Sequence, residues 1–309
     1  MIRFNDVILL VVVFTSMMVG IFFPRFGSLF RHYPQYGLMI LLFLSFISIE
    51  ITTIWAVLKN TLPQILCLTL LKIVLLPVVV YYVFTVIAPS YAVAALLLSG
   101  ISTGVVAPFI SNLVKGNSPL VMVLVVVTSL LIPFTLPALI EVLLGQSVDI
   151  PLAGMIRMLS LIIFVPIVVA EGLRKVAPGM LQAIMKVNYP LSLFLFAVII
   201  MGIFSRYAEF FHREPLTIFT AAAVGILLGG VYCGVGILCM AKRSVADQLA
   251  GAITLGHMNN VLIIVFASRF FGPLEPTVAA LYIFPFFGLL IPLRMYHGWY
   301  TQRGSGLPS

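Results

Sequence analysis

A lysine, a histidine and two adjacent asparagines stand inside stretches of this chain that are otherwise almost wholly apolar. Lys72 lies in LLKIVLLP (70–77), and Thr254, His257, Asn259 and Asn260 crowd into AGAITLGHMNNVLIIVFA (250–267). A third group, Ser99, Ser102, Thr103, Ser111 and Asn112, surrounds Gly100, Gly104 and Pro108 in SGISTGVVAPFISNLVKGN (99–117). These residue types suit ion and polar-group binding. An ammonium attracts an anion or takes a cation's place, the carbonyls freed at a helix break bind cations, and half-helix N-termini favour anions. His257 titrates near neutrality in water and can carry a proton, or it can be a hydrogen-bonded structural group. Some of the Ser and Thr hydroxyls are expected to bond back to their own helix.

The elements that hold these residues must lie in lipid. Of 309 residues 62% are hydrophobic and 8% charged, and the mean hydropathy is +1.22. No water-soluble domain keeps so much apolar surface from solvent. About 20 apolar residues cross a bilayer as a helix. The sequence predicts ten such spans, at about 5–23, 37–57, 63–86, 91–113, 119–143, 152–173, 187–204, 216–240, 247–268 and 276–298. The first is too long for a signal-peptide core and is read as a true span. The fold expected is therefore an all-α membrane protein, one transporter domain over 1–309 with no soluble domain attached.

The fourth and ninth spans are the interrupted ones, broken around Gly104 and Pro108 and around Gly256. In hydrocarbon an unpaired backbone group costs several kcal/mol, so a break survives only where protein or a water-filled cavity surrounds it. The two breaks occupy corresponding places in the two halves, at an offset of about 150 residues, the arrangement that marks the binding site of a secondary transporter. Five spans is an odd number, so the halves, 1–146 and 147–309, are expected to be inverted repeats.

Charge sets the orientation. With the N-terminus inside, the cytoplasmic ends carry ten basic residues (Arg3, Lys59, Lys115, Arg174, Lys175, Lys186, Lys242, Arg243, Arg294 and Arg303). The outer ends carry five, Arg25, Arg31, Arg206, Arg213 and Arg269. Both termini are thus expected in the cytoplasm. The formal charge of +8 reads as contact with the lipid bilayer, not with nucleic acid. Trp55, Trp299 and Tyr300 fit an interfacial aromatic belt. Cys67, Cys233 and Cys239 lack metal-ligand spacing and are expected to pack as small hydrophobes.

Lys72 is the focal residue. It lies about ten residues into the third span, so it sits roughly 15 Å deep, where an ammonium costs about 2.5–3.5 kcal/mol even on the lenient insertion scale. Two arrangements satisfy it: a buried contact with Glu50 at a similar depth in the second span, or acceptance by the carbonyls of a broken helix.

At these segments the chain resembles the bile acid:sodium symporter family, within a wider group that includes arsenite permeases. The resemblance rests on LVKGN (113–117), TSLLIPFTLP (128–137), LLKIVLLP (70–77), FVPIVVAEGLRK (164–175) and ADQLAGAITLGHMNN (246–260). It implies ten helices in a panel and a core domain, with discontinuous helices four and nine crossing. It further implies a substrate cavity between the domains and transport by alternating access.

The cation ligands that the resemblance implies do not carry over. The family's Ser-Asn pair in the fourth helix falls on Ala107 and Pro108, and its fifth-helix hydroxyls fall on Val121 and Val125. Its ninth-helix motif Glu-Val-Gly-Met-Gln-Asn-Ser becomes Thr254, Leu255, Gly256, His257, Met258, Asn259 and Asn260, without the glutamate and the glutamine. The third-helix glutamine, five residues before a proline, becomes Lys72, five before Pro77. Sodium prefers several oxygens, a carboxylate among them. We expect Lys72 to stand in for the second sodium, bonding to Thr254 and ninth-helix carbonyls. Against the arsenite permeases, Phe109 takes the place of the thiolate after Ala107-Pro108, so metalloid export is not expected.

The function expected is secondary transport of an organic anion, bile acid-like or a small carboxylate, without sodium. The alternatives are a sodium-coupled symporter with other ligands and a transporter-derived sensor that binds without moving its ligand. No HExxH motif occurs, and neither an enzyme nor a cofactor or metal is expected. The setting expected is a bacterial inner membrane.

Overall fold

The computed structural model describes residues 4–47, 51–145 and 151–304. Among them every named element is helical, and the only β-type pairing is one isolated bridge. Glu50 lies outside the described residues, as does the side chain of Trp55.

Long apolar runs close their backbone hydrogen bonds within the segment, which makes helices the outcome in lipid. Five helices are long and apolar enough to cross a membrane: Thr61–Ile87, Ser118–Leu144, Leu152–Val176, Pro215–Cys239 and Leu274–Tyr300. Two bent pairs raise the number to seven if each is one span. They are Val11–Phe22 with Pro24–Phe30, bent by 107°, and Pro178–Lys186 with Asn188–Phe204, bent by 67°. The other three runs read from the sequence are divided among shorter pieces. Run 37–57 meets Pro34–Phe46 and the start of Ile51–Leu70, with residues 48–50 between them outside the description. Run 91–113 is Ala92–Gly100 and Ala107–Leu113, and run 247–268 is Val245–Gly256 and Asn260–Phe270. A helix broken in mid-membrane cannot meet a length criterion of about 20 residues, so these are the segments where sequence and geometry differ in span number.

The third span carries its own irregularity. Pro77 has no N–H, and its ring would press on the carbonyl of Ile73 in a regular helix. The chain widens instead into a π-helical turn at Leu71–Leu75, where Leu76 N donates to Leu71 O, and Lys72 sits within it. Such turns are frequent at functional sites.

On one face the two broken segments are tied together. Asn117 caps Ser118–Leu144 by accepting Leu120 N at 3.2 Å. Its own backbone N–H donates to Ala246 O at 2.9 Å, and its side-chain amide to Asp247 Oδ1 at 2.8 Å. Just before it, Ala107–Leu113 ends with Lys115 at φ 61°. Lys115 N donates to Asn112 O at 3.2 Å and Gly116 N to Ser111 O at 2.8 Å, the paired bonds of a Schellman cap. All three cysteines are free; Cys233 is buried, while Cys67, which is exposed, and Cys239 face each other with sulfurs 3.3 Å apart.

Candidate functional site

The two breaks meet. Thr103 and Met258 form the isolated antiparallel bridge, flanked by Gly104 N donating to His257 O at 2.8 Å and Asn259 N to Ser102 O at 3.0 Å. The backbones approach so closely that a Cβ on Gly104 would stand 2.7 Å from Met258 O. Only glycine permits that contact. The backbone groups freed in one break are therefore paired by the other, which is how irregular chain persists inside a membrane protein.

The end of Val245–Gly256 shows the same accounting carbonyl by carbonyl. An α-helix leaves its last four carbonyls without helical partners. Here Ile253 O accepts His257 N at 2.8 Å, and Thr254 O accepts Thr103 Oγ1 at 3.0 Å. Leu255 O accepts Lys72 Nζ at 3.3 Å, and Gly256 O accepts the Tyr282 hydroxyl at 2.7 Å. The ammonium sits at the negative end of the half-helix dipole, where a cation is favoured. Nζ also lies 5.8 Å from the centre of the Tyr232 ring, within cation–π range. Lys72 is wholly buried. The ion pairs among the described residues are Glu171–Arg174 and Glu209–Arg213, neither of which involves it.

The hydroxyl of Thr254, expected as a partner of Lys72, makes no hydrogen bond; nor does that of Thr69, one turn before Lys72. Lys72 is held by a carbonyl of the broken helix instead, one of the two arrangements read from the sequence. The pairing with Glu50 concerns a residue outside the description. Where the resemblance places oxygen ligands at the first sodium position, Ala107, Val121 and Val125 are buried without one.

An apolar cavity of about 140 Å³ adjoins the breaks. Its walls are Leu38, Leu41 and Leu42 of Pro34–Phe46, with Phe196, Phe286 and Phe287, and its polar rim is Ser45, Asn259 and Asn260. Asn259 is the N-cap of Asn260–Phe270, accepting Leu262 N at 3.2 Å, and the Asn260 Oδ1 is buried without a hydrogen-bond partner. The positive end of an 11-residue half-helix thus opens on the cavity.

The residues singled out in the sequence divide into three groups. Gly104, Asn259 and Asn260 line the cavity. Lys72, Thr103, Thr254, His257 and Ser102 lie buried at the junction and do not line it. The His257 ring packs edge-on against Phe286, centroids 4.9 Å apart. Ser111 and Asn112 lie toward the Schellman cap, where Asn112 Oδ1 accepts the Ser118 hydroxyl at 2.7 Å. Pro108 begins the half-helix Ala107–Leu113 rather than breaking one, its missing N–H harmless there. Gly256 is the last helical residue before the break, and a Cβ on it would stand 2.5 Å from Cys233 Sγ. Sequence reasoning missed Tyr282, Tyr232 and Thr128, whose hydroxyl accepts Thr103 N at 3.1 Å. A tyrosine inside an apolar span was the available signal, since its hydroxyl needs a partner there.

A helical membrane protein whose interrupted segments interlock beside an apolar cavity belongs to the class of secondary transporters. Residues 7–214 match the family model described as Sodium Bile acid symporter family, and the chain belongs to that family. The match spans Lys72 and the first broken segment, while the second broken segment follows it in the chain. No curated protein matches the chain. It is thus a membrane transport protein of the bile acid/sodium symporter type, embedded in lipid and acting on a small molecule.

Proposed function

We propose that the chain is a sodium-independent secondary carrier for a small organic anion, with the Lys72 side chain serving as a built-in substitute for a bound cation. The observation that carries this reading is the bond from Lys72 Nζ to Leu255 O at the closing turn of Val245–Gly256. A charge fixed there repels a second cation a few Å away in a medium of low dielectric. The side chains at Ala107, Val121 and Val125 offer a sodium ion no oxygen, and position 254 holds a threonine in place of a carboxylate. These residues do not fit sodium.

The anion's head would meet Asn259, Asn260 and the half-helix N-terminus, and its body would lie against Leu41, Phe286 and Phe287. Lys72 would act on the shape of the crossing rather than on the substrate itself. The cavity volume of about 140 Å³ resembles that of a cavity that holds one benzene ring. It suits a short or branched carboxylate better than a sterol acid.

Transport would proceed by alternating access, with ten spans in two inverted five-span halves and a core that carries the crossing of helices four and nine against a panel. Both termini would face the cytoplasm of a bacterial inner membrane.

Counterflow uptake into proteoliposomes tests the reading. With a panel of carboxylates, uptake should be equal with sodium or potassium outside. Uptake that requires sodium would refute the cation-substitute role of Lys72 and leave the carrier assignment standing. Ligand binding without any flux would refute the carrier itself.

A further inference from the structure

Away from the crossing, three of the five arginines assigned to the outer face converge on one pocket. Arg31, Arg206 and Arg269 line a cavity of about 150 Å³ together with His32, Gln35 and Ser268, and no carboxylate lines it. Three guanidiniums lining one opening give it a positive field that attracts anions. Each comes from a different part of the chain: the C-cap of the short 3-10 helix Ser28–Phe30, the turn after Asn188–Phe204, and the last turn of Asn260–Phe270.

The floor of the pocket is rigidly built. Arg31 Nη2 donates to Ser205 O at 2.8 Å and Arg31 Nε to Ser205 Oγ at 3.1 Å, which fixes its fork. Gly202, another lining residue, lies so near the turn that a Cβ would stand 2.6 Å from Phe30 O. The guanidiniums of Arg206 and Arg269 make no hydrogen bond or ion pair to a described residue. Arg206 and Glu275 both act on the Tyr207 hydroxyl, with opposite signs, and Glu275 does not line the pocket. Arg31 has a structural task as a cap, and Arg269 complements its helix end. Arg206 has neither.

We infer that this pocket is a binding site for an oxyanion, a phosphate or carboxylate group taken in the forks of Arg206 and Arg269 with Arg31 behind them. Planar guanidiniums match such groups two bonds at a time. The same chemistry is offered by a dissolved anion and by the phosphate of an anionic lipid at the membrane surface. The site lies at the far end of the half-helix whose N-terminus opens on the central cavity. It does not depend on the transport mechanism.

The test uses the full chain in neutral detergent and radiolabelled inorganic phosphate in potassium chloride. Saturable binding at one site per chain is expected. The exposed arginines can be changed without disturbing the fold, so Arg206→Gln/Arg269→Gln should melt like the parent while binding phosphate at least roughly tenfold more weakly. Arg25→Gln, on the same face but outside the pocket, should bind normally. In nanodiscs of phosphatidylcholine the parent should again bind phosphate. Loss of that binding when phosphatidylglycerol is added identifies a lipid headgroup as the occupant, and its persistence identifies a dissolved anion. Absence of saturable binding in detergent, or equal affinity in the double variant, would overturn the site while leaving the carrier reading intact.

Discussion

Lys72 Nζ donates to the carbonyl of Leu255, 3.3 Å away, so the π-helical turn Leu71–Leu75 and the end of Val245–Gly256 are joined by a buried amine. The bond gives each member a partner. A buried ammonium without an acceptor and a helix-terminal carbonyl without a donor are each costly.

Replacing the ammonium tests whether its loss readmits sodium. Lys72→Gln is expected to lower the melting temperature, a loss of about 1–3 kcal/mol for a buried acceptor left short of a donor. It should gain no sodium-dependent stabilisation, because Thr254 supplies no carboxylate. Adding one, in Lys72→Gln/Thr254→Glu, should make the melting temperature rise with sodium over potassium. Sodium dependence in the single variant would contradict the argument.

Gly104→Ala should be the most damaging small change at the crossing. The new methyl would lie 2.7 Å from Met258 O and 3.0 Å from Met258 C, both backbone atoms that cannot rotate away. Overpacking of this kind costs about 1–3 kcal/mol or more. Loss of uptake together with a lowered melting temperature is expected; an unchanged protein would mean the breaks separate easily.

Tyr282→Phe removes one oxygen and leaves the Gly256 carbonyl without its donor, 2.7 Å away in the native protein. Tyr282 is fully buried, so no solvent replaces the bond. A loss of about 1–3 kcal/mol is expected in thermal or denaturant unfolding.

The neighbouring asparagines should separate stability from transport. Asn259→Ala deletes a helix cap and should cost about 1 kcal/mol of stability. Asn260→Ala removes an oxygen that has no partner among the described residues, so stability should hardly change while the KM for carboxylate uptake rises. Equal melting shifts with unaltered KM would remove Asn260 from the binding rim.

Much of this protein was readable before any coordinates. The apolar runs announced helices in lipid, and glycine and polar residues at 99–117 and 250–267 marked the segments that do break. The location of each break was less legible. Pro108 and Gly256 read as breakers, yet one opens a half-helix and the other closes one. Proline is as acceptable in a first turn as it is disruptive in the interior, and glycine serves close packing as often as a bend. The partner of Lys72 was likewise open. A single sequence orders residues along one span but does not give the rotation of one helix about its axis relative to another, and that rotation chose Leu255 O over a Thr254 hydroxyl.

What the sequence alone determined is the solvent of this chain, because the excess of apolar side chains leaves bilayer insertion as the stable outcome, and the placing of a lysine, Lys72, in the apolar middle of a span. Tertiary structure decided which groups meet. Thr103 faces Met258, and Lys72 faces Leu255, across sequence separations of more than 150 residues. Such pairs form because each freed backbone group in a dry interior takes the nearest available partner, and nearness there is a property of packing rather than of order along the chain.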